Sequence, residues 1–316
     1  MTPHQWIADS GRLIAFAADG SLLVTGQHPE RLTRYVGPAW TMAGQVNLQG
    51  VMSALAASPT DDEVCLGDKT GMFYRVAPLK KRSGSLKGHK YELGAVAYAP
   101  EGQRVFTGGG GHITPPDHTI RCFDLAGREL ARVAGPRGTV RRLGPLDDSV
   151  VVALDTADGL AAYDVPADRR LWMVPASSPE QTQGPFAVDA REGRVYAALQ
   201  TEDYDWVLAV LDARTGVEIG RAELFSSLDS GHVDDVVLIG GYVALAMGQN
   251  VLDPWLRKAK VHLFDRATLA CGALARGPVL EGEEQTRSLA AALDGHTLAA
   301  TMQDLGIAVF DLRALA

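Results

Sequence analysis

The sequence predicts an all-β fold: seven copies of a four-stranded antiparallel sheet arranged in a ring. Three observations predict it. First, the 316 residues divide into short apolar runs separated by Gly, Pro, Asp and Asn, the punctuation of strands joined by tight turns. Second, one unit recurs. The ends of successive third runs, Val36, Val76, Asp124, Asp164, Asp212, Asp265 and Asp311, follow one another at 40, 48, 40, 48, 53 and 46 residues. Third, 316 residues at roughly 45 per unit give about seven units. Sheets of this size bury their faces by stacking on neighbours, and closing the row into a ring removes its free ends, which makes the expected architecture a seven-bladed β-propeller spanning residues 1–316 as one domain.

The clearest unit runs from Leu86 to Leu125, LKGHKYELGAVAYAPEGQRVFTGGGGHITPPDHTIRCFDL. Gly88-His89 precedes an apolar run, Pro100-Glu101-Gly102 makes a turn, RVFTG forms a second run, and DHTIRCFD alternates as a third strand with one face buried. In these residues the chain resembles the WD-repeat β-propeller family, whose blades run from Gly-His to Trp-Asp, with Phe123-Asp124 standing where that family has Trp-Asp. The resemblance implies a buried hydrogen-bonded set, for which His89, Thr107 and Asp117 supply three members. Phe123 replaces the indole and has no N–H to donate. It also implies that His89 is structural and that the protein is a scaffold for other proteins.

Taken in order, blade one reads RLIAFAAD, SLLVTGQ, RLTRYVG and AGQVNLQ, and blade two MSALAAS, DEVCLGD, GMFYRVA and RSGSLKG. Blade three is the unit above, closing with RELARVAG. Blade four reads VRRLGPL, SVVVALD, GLAAYDV and RRLWMVP, and blade five PFAVDA, RVYAALQ, WVLAVLD and EIGRAEL. Blade six reads DDVVLIG, YVALAMG, KVHLFDR and LACGALA. Blade seven has SLAAALD, HTLAATM and GIAVFDL, after which too few residues remain for a fourth strand. Residues 3–10, carrying HQWIAD at His4–Asp9, have strand character and no blade of their own. They are expected to complete blade seven and cover its open edge. First strands rich in Ala, Gly and Ser suit a crowded centre. Blades four and five also resemble quinoprotein-type blades, blade four through Ala162-Tyr163-Asp164 with Trp172 and blade five through Asp212 with Thr215-Gly216; neither copy of that pattern is complete.

Composition narrows the function. A net charge of −8 argues against nucleic acid or an anionic membrane as partner. Cys65, Cys122 and Cys271 lie in separate strands without metal-type spacing and read as small buried apolar groups. No apolar stretch reaches the ~20 residues of a membrane span, and the N-terminus lacks the basic start of a secretory signal, so a cytoplasmic location is expected. Abundant Arg and Ala suggest a bacterial gene.

Extra residues gather in the second-to-third and fourth-to-first loops, which share one face of a propeller: Gly108–His118, Thr201–Asp205 and Gln249–Lys258. In the last of these, Leu252, Trp255, Leu256 and Arg257 have the composition of an interface anchor; Tyr204, Asp205 and Trp206 are expected to add an acidic, aromatic rim, and His112 a further contact. The four glycines before His112 lack the Lys-Ser/Thr of a phosphate loop. His112, Asp117 and His118 match no zinc spacing. His232 falls at the Gly-His position of its blade and reads as structural, although Asp229, Asp234 and Asp235 beside it resemble a catalytic group. Lys80, Lys81, Arg82, Lys87, Lys90, Arg137, Arg141 and Arg142 read as solvated loop charges without aromatic interleaving. No hydrolase or metalloprotease motif occurs.

The expectation is therefore a non-enzymatic platform, without cofactor or metal, that binds one or more proteins, such as components of a bacterial signalling, proteolytic or defence complex, through its loop-rich face. The competing reading is an enzyme or small-ligand binder at the channel mouth.

Overall fold

A computed structural model describes residues 5–9, 11–27, 30–48, 50–77, 85–111, 117–174, 184–203, 205–225, 231–249, 260–270, 276–281, 286–302 and 306–315. Among these residues, seven four-stranded antiparallel sheets account for every strand. Blade one comprises Leu13–Phe16, Leu22–Gln27, Glu30–Val36 and Thr41–Asn47, and blade two Met52–Ala57, Val64–Asp68, Met72–Val76 and Ser85–Lys87. Blade three comprises Leu93–Tyr98, Arg104–Gly109, Ile120–Asp124 and Glu129–Val133. Blade four comprises Val140–Pro145, Val150–Asp155, Gly159–Asp164 and Arg169–Val174, and blade five Phe186–Asp189, Arg194–Gln200, Trp206–Asp212 and Glu218–Phe225. Blade six comprises Gly231–Ile239, Tyr242–Gln249, Lys260–Asp265 and Arg276–Glu281. Blade seven contains Thr286–Ala291, Thr297–Met302 and Gly306–Asp311, and its outer strand is Gln5–Ile7 from the other end of the chain.

Seven apolar clusters hold the ring, one at each junction between adjacent blades. Alternate side chains of a strand serve the two neighbours: Val105 packs towards blade two and Phe106 towards blade four. Second strands such as Val64–Asp68 and Val150–Asp155 are therefore buried on both faces and read as near-continuous apolar runs. The same holds for Ile120–Asp124, expected to bury one face. Cys122 sits against blade four and Phe123 against blade two. Each fully buried Val, Leu or Phe contributes about 1.5–3 kcal/mol, so the junctions dominate stability.

All seven third strands end on the residues whose spacing revealed the repeat. Where that residue is Asp it closes the next turn. Asp212 Oδ1 accepts the N–H of Arg214 and Thr215 at 3.1 and 2.8 Å, Asp124 Oδ1 that of Arg128 at 2.8 Å, and Asp311 Oδ1 that of Arg313 at 3.0 Å. In blade six the same capping changes the outcome. Asp265 accepts the Thr268 N–H at 2.9 Å and opens the one-turn helix Arg266–Ala270, which buries Leu269. The outer strand is consequently Arg276–Glu281, not LACGALA as the apolar pattern suggests.

The two quinoprotein-like fragments meet. Trp172 of blade four donates its indole N–H to Ala213 O at 2.9 Å and lies on Gly216 of blade five, where φ is +72° and a Cβ would stand 2.7 Å from the indole. Small residues at the centre have the same origin. A Cβ on Gly94 would come within 2.3 Å of Val140 O in the next blade.

Closure is a ladder of three residue pairs, Gln5 with Val309, Trp6 with Ala308 and Ile7 with Ile307, with Ile7 buried between blades seven and one. Removing residues 1–10 uncovers the edge of blade seven and empties the Ile7 site, a loss of about 2–5 kcal/mol from the side chain alone. The truncated chain is expected to melt several degrees lower in a calorimetric scan; an unchanged melting temperature contradicts the clasp.

Candidate interaction face

In each blade the first and third strands run away from one rim of the ring, and the second and fourth run towards it. The second-to-third and fourth-to-first connections therefore emerge together on that rim. Here the chain crosses between blades through partly buried ground, and its backbone N–H groups need partners. Buried aspartates supply some of them: Asp117 takes the Lys90 N–H and Asp235 the Leu289 N–H, while Thr139 N–H goes to Thr156 Oγ1 and Gly184 N–H to Ala198 O. All six aspartates among the buried polar side chains, Asp9, Asp68, Asp117, Asp155, Asp158 and Asp235, belong to this end or to the inner strands leading from it.

In blade three the set predicted from the family resemblance is assembled. His89 Nε2 lies 2.8 Å from Thr107 Oγ1, and Nδ1 lies 3.5 Å from Asp117 Oδ2, an electrostatic contact longer than a good hydrogen bond. Asp117 also accepts the Lys90 N–H at 2.9 Å, the Thr119 hydroxyl at 2.6 Å and Arg121 Nη2 at 2.9 Å. Burial raises the Asp117 carboxyl, but the contact with His89 and the hydrogen bonds from Thr119 and Lys90 outweigh it and hold the group below the usual carboxylate range. Burial lowers His89 more than Asp117 raises it, so the imidazole is neutral at pH 7.

Other buried aspartates cap turns within their own blades or hold side chains. Asp68 receives the N–H of Thr70 and Met72 at 2.8 and 3.0 Å and the Tyr74 hydroxyl at 2.5 Å. Asp9 receives the Tyr35 hydroxyl at 2.7 Å. Blade four has Pro136-Arg137 where blade three has His89-Lys90, and Arg137 forms the ion pair with Asp158. Its neighbour Asp155 takes the N–H of Ala157 and Asp158 at 2.7 and 2.6 Å, yet burial, with the Asp158 charge, leaves it raised.

Asp235 ties several blades together. It accepts the Val236 N–H at 2.8 Å and, across the junction with blade seven, the Leu289 N–H at 2.7 Å, and it pairs with Arg142 of blade four. Arg142 Nη2 also donates to Val236 O at 2.8 Å, and its guanidinium lies 5.9 Å from the Phe186 ring centroid of blade five. One arginine thus reaches past blade five from the inner strand of blade four to that of blade six. The reading of Arg142 as a solvated loop charge is corrected: it begins on Val140–Pro145 and is half-buried, while Arg141 beside it is exposed. His232 pairs with Asp234 at 3.1 Å, and that contact raises its pKa.

Of the residues expected to meet a partner, Asp205 lies on this rim, its N–H donated to Thr201 Oγ1 at 3.2 Å. Trp206 is corrected. It opens the third strand of blade five, is 5% exposed and packs with Tyr196, Ala198 and Leu208, so its indole is not offered to a partner. Leu252, Trp255, Leu256, Arg257, Tyr204, His112, Asp229 and Cys271 lie outside the described residues. Cys65 and Cys122 are buried, and burial pushes their thiols up to about 12 and about 11. Among the described residues no group of three or more His, Cys, Asp or Glu is arranged to hold a metal ion, and no helix is long and apolar enough to cross a membrane.

The strands and this rim define a seven-bladed β-propeller. The chain is similar to one in a solved structure described as the crystal structure of the mitotic checkpoint complex, with a TM-score of 0.77 over 98% of this chain and 91% of that one, at 10% sequence identity. At that identity the likeness is one of fold. No family profile matches the chain, and no curated protein matches it in sequence.

Two outcomes follow from the buried charges. Because the folded pKa of His89 is depressed, its contribution is complete above the unfolded value of about 6.5 and is lost as pH falls towards the folded value; the Asp117 contribution is lost only below about 4. Melting temperature is expected to drop on acidification from pH 7 to 5, and His89→Gln to flatten that drop while lowering stability at pH 7. Arg142→Met leaves Asp235 buried without its cation, which costs about 3 kcal/mol; adding Asp235→Asn, which keeps an acceptor for Leu289 N–H, is expected to recover part of the shift in urea midpoint.

Proposed function

We propose that this protein is a non-enzymatic scaffold that binds a separate protein through the loop-rich rim of its propeller, in the cytoplasm of a bacterium. The observation that carries the reading is the contrast between the two parts of that rim. The base is held by buried aspartates, several of which already accept backbone N–H groups, while the sequence places its longest insertions above it. A rigid base under long loops favours recognition over chemistry. The similar chain comes from a multiprotein complex, which agrees with a role in assembly.

Within the rim, Leu252, Trp255, Leu256 and Arg257 are proposed as the anchor, with Tyr204, Asp205 and His112 at its margin. Trp with Arg among aliphatics supplies the desolvated contacts that dominate binding energy. The partner is proposed to belong to a signalling, proteolytic or defence assembly.

Affinity purification from the native host is expected to retain one stoichiometric protein and to lose it on Trp255→Ala with Leu256→Ala, with the melting temperature unchanged. Retention of a small molecule in place of any protein favours a ligand binder and overturns the scaffold.

A further inference from the structure

Among the described residues each blade ends in an outer strand paired on one side only, and the other side is a template on which another strand can pair. Proteins commonly protect such edges with charge, with proline or by keeping them short. Six of the seven blades do so. Outer strands carry Glu129 and Arg132 in blade three, Arg169 and Arg170 in blade four, and Glu218, Arg221 and Glu223 in blade five; that of blade six contains Pro278, and that of blade two is three residues long. In blade seven the strand is three residues long.

Blade one departs from this. Its outer strand, Thr41–Asn47, is TMAGQVN: seven residues, no charge and no proline. Among the described residues it pairs only with Glu30–Val36. Met42 is 60% exposed, and Val36 beside it 39%. The ladder shifts register opposite Arg34 and Tyr35, leaving Gly44–Asn47 as its regular part. Leu48 N–H donates inward to Glu30 O at 2.9 Å, so alternation turns the N–H and C=O of Gln45 and Asn47 outward.

We propose that this edge joins two copies of the chain, their blade-one outer strands pairing antiparallel about a two-fold axis near Val46. Charge selects the second copy as occupant. Two-fold pairing lays a strand on its own sequence, and here Gln45 of one copy meets Asn47 of the other while Val46 meets Val46, with no ionised group opposed. The net charge of −8 repels at long range but is screened beyond about 8 Å at physiological salt. A contact this short makes a weak dimer. Because antiparallel pairing reverses strand direction, and strand direction fixes which rim carries the long loops, the loop-rich rims of the two copies face opposite ways. Such a dimer bridges two partner molecules.

Sedimentation of the full-length chain over a roughly hundredfold concentration series is expected to show apparent mass rising towards twice the monomer value. Amide exchange at Gln45 and Asn47 is expected to slow over the same series. Gln45→Lys keeps the fold, since the side chain is exposed, and holds the protein monomeric throughout; Gln45→Pro, which removes an outward N–H, does the same. A monomer at every concentration, a dimer that survives both substitutions, or exchange at Gln45 and Asn47 that ignores concentration each overturns the proposal.

Discussion

The constraint on which this structure depends is the handover between blades. At the loop-rich end the chain leaves an outer strand and enters the next inner strand through a packed junction, carrying N–H groups that water reaches poorly. An unpaired buried N–H costs about 1–3 kcal/mol, and seven handovers left unsatisfied would exceed the stability of an ordinary domain. A carboxylate can serve several donors at once, and Asp68 and Asp117 each take hydrogen bonds from backbone and side chains together. The partners vary: a neutral histidine beside Asp117, a tyrosine hydroxyl on Asp9, an arginine on Asp158. The acceptor is often an aspartate, although the Thr139 N–H goes to the Thr156 hydroxyl and the Gly184 N–H to Ala198 O. This variation explains why only blade three shows a complete enough signature to resemble a known repeat, although all seven blades share one architecture.

How much was legible follows from the range of the interaction responsible. The third-strand ends were readable because each Asp acts within a few residues, folding the chain back onto its own following turn. The clasp at Gln5–Ile7 was readable by subtraction, from a last blade one strand short and a first segment with no blade. The outer strand of blade six was misplaced because a local capping bond at Asp265 overrode an apolar pattern, and Asp-x-x-Thr was the signal for it. Trp206 was assigned to a rim because acidic residues precede it; WVLAVLD, the apolar run it opens, pointed to the strand it begins. The pairing of Arg142 with Asp235 had no sequence signal. The two lie 93 residues apart, and only closure of the ring brings them together.

That pairing also bears on what the centre of the ring can do. An inner strand of Ala, Gly and Ser leaves room for a side chain to cross between blades, and Arg142 uses it, joining blades four and six while packing on Phe186 of blade five and sharing Asp235 with the backbone of blade seven. Four blades are fastened by groups facing inward. Motions that would separate these blades must break this contact as well, so blades four to seven are coupled.

Rigidity there matters for recognition because loops lose less on binding when their bases do not move. The protein orders those bases through groups hidden from solvent, which leaves the exposed surface free to vary without loss of the fold. Arg137 marks the limit of that freedom. It is 75% exposed, yet it compensates a carboxylate that is wholly buried, so a substitution at this surface position reaches the interior of blade four. A residue of the rim is free to be shaped by a partner only where no buried aspartate depends on it. By that criterion Lys69, Lys90 and Arg141, exposed and, among the described residues, bonded to no buried carboxylate through their side chains, are the rim positions a partner could shape, whereas Arg137 belongs to the part that holds the ring together.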